Sequence, residues 1–384
     1  MSSSVIAPGT LSGIQSKKFL TATLVIIVGV ALRFLVARRG HNYDFESYLL
    51  VASGREEGLT PWQVGRYNYG PVWAYLLYGF RWVEATIGIG FRMQIIGLLT
   101  LADVMIAYFV LRSRGLITAS IFFLNPISVI ITGYHNQFDN LAIAIACAAL
   151  LVNKDVTTGR ICRSDLISIV LLSLSLSTKH VLLVFIGWMA LRQASLLRKV
   201  TYLCLPPLLF FTSFTPFLSS SWSEIKLMVI GYDSGDNGQL WELLGLQNGI
   251  GPVSVMRLFV ASLFFVGLLV RRKPLHESLF LYLVTIVAVT PSFANQYFAV
   301  AAIGAVGLLN SWFIPYLAIG TYSLLTSYHG LHFGSQSRLV GKIIPDDPML
   351  TDILEFTFKI IPISLICGVV AYFALNRREA TDAR

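Results

Sequence analysis

Apolar segments long enough to cross a lipid bilayer recur along the chain from residue 19 to residue 373, with short polar segments between them. A helix needs about 20 apolar residues to span the hydrocarbon core. Lipid offers the backbone no hydrogen bonds, so each of these segments is expected to be helical. The pattern therefore predicts an all-α, polytopic membrane protein.

The Lys and Arg residues between the apolar segments predict how the chain is threaded. Short cytoplasmic loops carry an excess of these residues, and Lys17 and Lys18 precede the first predicted span at 19–37. Keeping the later basic clusters on the same side gives about twelve spans with both termini in the cytoplasm. The further spans are predicted at 91–111, 115–133, 141–152, 200–218, 253–270, 276–290, 298–309, 312–327 and 353–375, with a short helical hairpin at 161–197.

The stretch 71–85 has two interpretations. It carries Arg81 and Glu84 among several aromatic residues, a composition typical of an amphipathic helix that lies in the membrane interface. As a full span it would move the basic clusters at 112–114, 271–273 and 377–378 to the outer side, against the charge bias. We therefore expect an interfacial helix in the first outer loop.

Composition supports the membrane assignment and excludes a soluble globule. The 384 residues are 55% hydrophobic and only 13% charged, with a mean hydropathy of +0.70, whereas soluble domains carry about 25% charged residues. The net charge of +9 comes from small clusters between apolar segments. Because no continuous basic stripe is present, nucleic acid is not an expected partner.

The segment after the first span carries the most reactive groups of the predicted outer face. Asp44 and Glu46 lie two residues apart beside Arg38 and Arg39. One carboxylate would serve as a general base while the other orients a sugar hydroxyl or a metal. Paired carboxylates also suit Mg²⁺ or Mn²⁺, although no metal ligands are assigned. Alternatively, both residues merely solvate the start of an exposed helix.

Two further outer segments combine polar and aromatic residues. Residues 66–73, which include Arg66 and Tyr69, would stack on a sugar or line a lipid groove, but interfacial aromatics occur in many membrane proteins. Residues 135–139 place His135, Gln137 and Asp139 between two apolar helices. These three side chains are candidate substrate ligands, and a helix cap at Asp139 is the structural alternative.

A cation and an imidazole interrupt the predicted hairpin at Lys179 and His180. An ammonium at membrane depth is costly and usually has a partner. A substrate phosphate would be the functional partner, and a carboxylate from another helix is the alternative. Asp103 in the middle of its span is expected to have a structural partner. Gln296 and Tyr297 complete the outer polar set.

Short motifs in this order resemble the GT-C superfamily of glycosyltransferases that use polyprenyl-phosphate or dolichyl-phosphate sugars. Asp44-Phe45-Glu46 and the segment 67–75 resemble those of the lipid-linked-oligosaccharide glucosyltransferases, with Gly70 in place of a proline. Asn125-Pro126 followed by 134–140 continues the order. The segment 290–297 is similar to bacterial GT-C mannosyltransferase-like proteins and to the glycosylphosphatidylinositol mannosyltransferase. The resemblance covers roughly residues 20–300.

The resemblance implies a multi-pass enzyme whose active site faces away from the cytoplasm, in a bacterial plasma membrane. A catalytic module at 17–218 would hold the first outer loop at 38–90, followed by a long outer loop at 219–252 on the acceptor side and a helical module at 253–376. Asp44 matches the family's catalytic Asp and would be the general base, with Glu46 and Asp139 orienting substrates.

The substrates that the resemblance implies are a polyprenyl-phosphate hexose, with mannose or glucose as the sugar, and a lipid-linked or envelope glycan acceptor. Transfer of one hexose would invert the anomeric centre. Lys179, His180 and Arg66 are the candidates for the leaving phosphate. The rival class is a transporter or flippase of a lipid-linked sugar, which would place polar sites at mid-bilayer between repeated halves. No internal repeat is visible.

Overall fold

A computed structural model describes residues 8–153, 160–231, 238–246, 252–326, 331 and 359–375, and the regular secondary structure within them is helical. The all-α prediction is confirmed for these residues. The helices are α1 (Pro8–Ala37), α2 (Tyr43–Gly54), α3 (Pro71–Ile87), α4 (Phe91–Arg114), α5 (Leu116–Leu124), α6 (Pro126–Ile130), α7 (Asp139–Val152), α8 (Arg163–Thr178), α9 (Leu183–Arg192), α10 (Leu196–Thr212), α11 (Leu218–Ile225), α12 (Gln239–Leu243), α13 (Pro252–Val270), α14 (Leu275–Ala288), α15 (Tyr297–Gly307), α16 (Phe313–Thr326) and α17 (Lys359–Leu375).

Within the described residues, three helical segments are long and apolar enough to cross a membrane, namely Ser16–Ala37, Phe91–Arg114 and Leu196–Ile230. A fourth results if α5 and the segment Pro126–His135, bent by 46° against each other, count as one span. The first segment is 11% buried over its most apolar window, and side chains such as Phe19, Leu24 and Ile27 are exposed. A helix this apolar and this exposed is typical of contact with lipid.

The bend between α5 and α6 follows from the dipeptide Asn125-Pro126. Proline cannot donate the backbone hydrogen bond that would continue a helix, and it disfavours helical geometry in the preceding residue. The Asn125 side chain instead accepts a bond from the backbone N–H of Ile127 at 2.9 Å and caps the new helix. The helix α6 then runs into a π-helical turn at Ile131–His135.

The helix α3 has one buried and one exposed face. Trp73, Leu77 and Tyr78 are buried, whereas Tyr75 and Trp82 are exposed. With 17 residues, α3 is not among the candidate spans found in the described part of the chain. This amphipathic character agrees with the mixture of aromatic and charged residues at 71–85.

The predicted hairpin at 161–197 consists of α8 and α9, separated by Lys179 in extended geometry and a 3₁₀ turn at His180–Leu182. Asp165 at the start of α8 pairs with Arg198 at the start of α10. At the other end His180 lies against Phe210 in α10. The helices α8 and α10 therefore run parallel, so α9 between them returns the chain to the starting end.

The long outer segment 219–252 is partly helical. It contains most of α11, a π-helical turn at Lys226–Ile230, and α12. Residues 232–237 and 247–251 lie outside the described residues. Trp241 in α12 donates from Nε1 to the carbonyl oxygen of Val289 at 2.9 Å, which holds α12 against the end of α14.

The core lies around α7, α14 and α15, which are buried on nearly all sides. The helix α7 packs against α4 and α8, and α14 packs against α15. One end of α7 begins at Asp139, directly after the turn that carries His135. The candidate site is therefore built at one end of the buried core.

Candidate active site

Asp44 lies in the first turn of α2, where Asn42 caps the helix. Asn42 Oδ1 accepts from the Asp44 backbone N–H at 3.1 Å, and Asn42 Nδ2 donates to Asp44 Oδ2 at 2.7 Å. A capping side chain fixes the start of a helix because it satisfies a backbone donor that the helix leaves unpaired. Asp44 is half-buried, whereas Glu46 is exposed. The two carboxylates therefore have different surroundings, and Asp44 has the more enclosed one.

The same Asn42 joins Asp44 to His135. Asn42 Nδ2 lies 2.8 Å from His135 Nδ1, and the imidazole is buried with 1% of its surface exposed. His135 ends the π-helical turn, and the next residue, Asn136, is in the left-handed region at φ 57°. The structure thus brings together the two segments that sequence reasoning treated separately.

The aromatic ring of Phe138 lies at the centre of the site. It stacks on Trp73 with ring centroids 4.3 Å apart and an interplanar angle of 10°. The ring of Tyr69 meets it edge-on at 4.7 Å, and the ring of Tyr48 lies at 5.9 Å. Gln137 and Asp139, two candidate ligands of that segment, flank Phe138 in the chain.

Lys179 pairs with Asp139. The Lys179 Nζ to Asp139 Oδ2 distance is 2.6 Å, and both side chains are almost fully buried. The ammonium also lies 4.9 Å from the centre of the Tyr69 ring and 5.0 Å from that of Phe138. Of the two partners that the sequence left open for Lys179, the structure shows the carboxylate. An ammonium has three donors, so this ion pair does not exhaust it.

Several buried polar atoms around Phe138 have no hydrogen-bond partner within the described chain. They belong to Tyr48 (the hydroxyl), Trp73 (Nε1), Gln137 (Nε2 and Oε1), Asp139 (Oδ1) and His180 (Nδ1), which we call the polar cluster. Buried polar groups are nearly always paired, and an unpaired one is costly. A ligand that carries both donors and acceptors, such as a polyol, would suit this combination of groups.

Burial determines the protonation of the phenol in this cluster. Burial raises the pKa of the Tyr48 hydroxyl well above its ordinary value, and the nearby Tyr69, Asp44 and Asp139 raise it further. Tyr48 therefore stays a neutral hydroxyl at physiological pH. It is suited to hydrogen bonding with a ligand and not to acting as a base.

Gly70 lets α3 approach α8 closely. A Cβ atom at position 70 would overlap the backbone carbonyl oxygen of Ser177. At this point Tyr67 donates to the Gly70 carbonyl oxygen at 2.5 Å and accepts from the Ala74 backbone N–H at 2.9 Å, which fixes the start of α3. Trp73 in the first turn of α3 is thereby held against Phe138.

Arg92, in the first turn of α4, holds the backbone around the site. Its guanidinium donates to four oxygens. These are the carbonyl oxygen of Ala37 at 2.9 Å, that of Gly40, that of Gly133 at 3.1 Å, and Asn136 Oδ1 at 3.0 Å. The first two belong to the segment that leads to Asp44, and the last two to the turn that carries His135. One side chain therefore connects both halves of the site.

A buried ion pair lies beneath the turn. Arg33 and Asp103 are both 0% exposed, with Arg33 Nε at 2.8 Å from Asp103 Oδ2. Asp103 also accepts from Thr132 Oγ1 at 2.7 Å and from Asn140 Nδ2 at 2.6 Å. Asp103 thus has the structural partners that its mid-span position required. Its hydrogen bonds to Thr132 and Asn140 fix the chain on both sides of residues 135–139.

The remaining predicted site residues, Arg66, Gln296 and Tyr297, are half-buried, and two of them contact other aromatic rings. The half-buried Arg66 places its guanidinium 3.8 Å from the centre of the Tyr43 ring, next to Asp44 in the chain. Gln296 and Tyr297 are half-buried at the start of α15, where Tyr297 contacts Phe293. Within the described residues, no group of three or more His, Cys, Asp or Glu side chains is placed to hold a metal ion.

Sequence reasoning missed Asn42, Tyr48, Trp73, Phe138 and Arg92 as residues of this site. Two signals were present in the sequence. Tyr48 follows Asp44 by four residues, so both share a helix face, and Arg92 is a lone cation at the start of an apolar helix. No protein-family model, no curated protein and no solved structure matches this chain.

Proposed function

We propose that the protein is a membrane-embedded inverting glycosyltransferase of about twelve spans, which transfers one hexose from a polyprenyl-phosphate donor to an outward-facing, lipid-linked acceptor. Asp44 is the general base. In this arrangement α2 and α3 lie in the outer membrane interface, both termini are cytoplasmic, and α1 contacts lipid.

One observation supports the proposal most. The half-buried carboxylate of Asp44 adjoins a set of buried side chains that carry hydrogen-bonding atoms without a partner in the described chain. Tyr48 belongs to this set, shares a helix face with Asp44 and interacts electrostatically with the Asp44 carboxylate. A sugar offers hydroxyl groups that both donate and accept hydrogen bonds, as these unpaired atoms require. A base next to a polyol site suits glycosyl transfer.

The proposed reaction has one bond-forming and one bond-breaking step at the anomeric carbon. Asp44 accepts the proton of the acceptor hydroxyl, and the oxygen attacks the anomeric carbon from the face opposite the phosphate. The bond between that carbon and the phosphate oxygen breaks, and polyprenyl phosphate leaves with the electron pair. Cations stabilise the departing phosphate.

Lys179, His180 and Arg66 remain the proposed phosphate ligands, with different starting positions. Lys179 is held by Asp139 and two aromatic rings. It would bind the phosphate through the ammonium N–H groups that do not donate to Asp139. Arg66 lies over an exposed tyrosine ring and has more freedom to turn toward a lipid headgroup. Its guanidinium offers a bidentate contact to phosphate.

The test is a transfer assay with protein in liposomes. The donor is polyprenyl-phosphate hexose labelled in the sugar, mannose and glucose in turn, and the acceptor source is a lipid extract of bacterial membranes. We expect label in a new glycolipid and release of polyprenyl phosphate. Movement of intact donor between the leaflets, with no product, would instead establish the transporter. No product and no movement with either sugar would also refute the proposal.

A further inference from the structure

We infer that Asn42 is a positioning residue that sets the tautomer of His135 and the orientation of Asp44. This inference rests on the proposed function for its kinetic consequences, because the role of Asp44 as a base is part of that proposal. The hydrogen-bond assignment itself depends only on the geometry around Asn42.

The orientation of the Asn42 amide is fixed by the helix cap. The backbone N–H of Asp44 points at one amide atom of Asn42 at 3.1 Å, and only an oxygen can accept from it. The other amide atom is then nitrogen, and it lies 2.7 Å from the Asp44 carboxylate. The reverse assignment would set the amide oxygen against the carboxylate and the NH₂ against a backbone N–H, so both contacts would be repulsive.

The two hydrogens of the amide nitrogen have two acceptors. One hydrogen goes to Asp44 Oδ2 and the other to His135 Nδ1, at 2.8 Å. Because the Asn42 NH₂ group only donates, His135 Nδ1 must be an acceptor and carries no proton. His135 is therefore neutral, with its proton on Nε2.

Three consequences follow for Asp44. Its Oδ2 is engaged by Asn42, so Oδ1 is the oxygen that receives a proton from an acceptor hydroxyl. The bond from an uncharged amide orients the carboxylate without adding a second charge. The neighbouring imidazole is neutral, so it places no positive charge beside the Asp44 carboxylate. Asn42 itself touches no substrate in this scheme.

Substitutions at position 42 separate the cap from the positioning role. Asn42→Ser and Asn42→Asp both keep an oxygen that caps α2. The serine hydroxyl has one hydrogen and serves one acceptor. The aspartate has none, and its charge beside Asp44 favours the protonated form of the base. Glu57→Gln, an exposed change in the same outer segment, is the matched control.

The kinetic test measures hexose transfer as a function of pH for these variants. We expect Asn42→Asp to lower kcat by about 10- to 100-fold, the loss of one hydrogen bond to a charged group. The acid limb of its pH profile should move to higher pH because a second carboxylate beside Asp44 disfavours its charge, with little change in the KM for the donor. Asn42→Ser should lower kcat by a smaller factor and leave the acid limb of the pH profile where it is in the wild type. Wild-type kcat and pH profiles in both variants would overturn the positioning role.

The spectroscopic test needs no enzymatic activity. Nitrogen-15 NMR of histidine-labelled protein in bilayers distinguishes protonated from unprotonated ring nitrogens, and the His135→Asn spectrum identifies the signals among the six histidines. We expect unprotonated Nδ1 and protonated Nε2 at neutral pH. In Asn42→Asp, Nδ1 should become protonated because its neighbour now accepts. A proton on Nδ1 of the wild-type protein, or identical spectra for the two, would overturn the inference.

The two tests also separate this inference from the proposed function. A protein that transfers no hexose but shows the expected tautomer and its change in Asn42→Asp would refute the function and keep the geometry of Asn42. A protein that transfers hexose and depends on Asp44, but shows neither the tautomer nor the pH displacement, would refute Asn42 as a positioning residue.

Discussion

Gln137→Leu should make the protein more stable and less active. The Gln137 side chain is fully buried, and neither its amide nitrogen nor its amide oxygen has a partner within the described chain. A buried polar group without a hydrogen bond costs about 1–3 kcal/mol. Leucine has a similar size, so it removes this cost without opening a large cavity.

We therefore expect the free energy of unfolding to rise by about 1–3 kcal/mol, measured by SDS titration in mixed micelles. Hexose transfer by the same preparation should fall, because the proposed function assigns this amide to a hydroxyl of the substrate. A variant that gains stability and loses activity would show that Gln137 is kept for binding and not for folding.

Gln193→Leu provides the control. Gln193 is also buried, but its Nε2 donates to the Met189 carbonyl oxygen at 3.0 Å. The same substitution there should lower the free energy of unfolding by about 0.5–1.5 kcal/mol and leave transfer unchanged. If Gln137→Leu instead lost more than about 1 kcal/mol, its amide would have folding partners, and the reasoning about the polar cluster would be refuted.

Arg33→Met should lower the free energy of unfolding by about 3–5 kcal/mol because it leaves the buried Asp103 carboxylate without its cation. Adding Asp103→Leu should restore part of that loss in the same SDS titration. Gly70→Ala should cost about 1–3 kcal/mol through overpacking against the Ser177 backbone, with slower transfer. The pKa of Glu84 is lowered by a hydrogen bond from the first backbone N–H of α4 and by an arginine. Because this pKa is lower in the folded state, the stabilisation is present above the unfolded pKa and is lost as pH falls through the folded pKa. The thermal stability of Glu84→Gln should therefore decrease less on acidification than that of the wild type.

Each of these results has a contrary outcome. Additive losses in the double variant would mean that Arg33 and Asp103 do not interact. Gly70→Ala with wild-type stability would show that α3 does not press on α8. If thermal stability fell with acid to the same extent in Glu84→Gln as in the wild type, the Glu84 carboxylate would not be hydrogen-bonded to the first backbone N–H of α4.

Local chemistry made some features predictable from the sequence. The amphipathic composition of 71–85 was predictable because Arg81 and Glu84 lie among aromatic residues. The break at Asn125-Pro126 follows from proline geometry, but 115–133 was predicted as one span. The need for a partner at Lys179 followed from its depth in an apolar hairpin. The sequence did not decide between a phosphate and a carboxylate, since Asp139 lies 40 residues away in the chain and their proximity arises only when α7 and α8 pack.

The residues that organise the site escaped sequence reasoning because their roles are tertiary. Asn42 reads as an ordinary helix cap until His135 is placed beside it, 93 residues further along the chain. Trp73 and Phe138 read as interfacial or core aromatics until they stack. Glu46 shows the converse, since its spacing from Asp44 indicated a pair, whereas the helix turns it toward solvent.

The number of spans was also only partly predictable. Several apolar helices of the described chain are shorter than a bilayer is thick, at 10–17 residues. The sequence defines where apolar segments lie, but the helices formed in them can be short, as α9 and α15 are with 10 and 11 residues. Their crossing of the membrane therefore remains part of the proposal.

The role of Asp44 is tested most directly by comparing Asp44→Asn with Glu57→Gln in the labelled-hexose assay. Asparagine preserves the size of the side chain and cannot accept the acceptor proton as a carboxylate does. We predict that Asp44→Asn lowers kcat by about 10²- to 10⁴-fold while donor binding, followed by thermal stabilisation with polyprenyl-phosphate hexose, is retained. Glu57→Gln should match the wild type. A folded Asp44→Asn protein that transfers hexose at the wild-type rate would contradict the account.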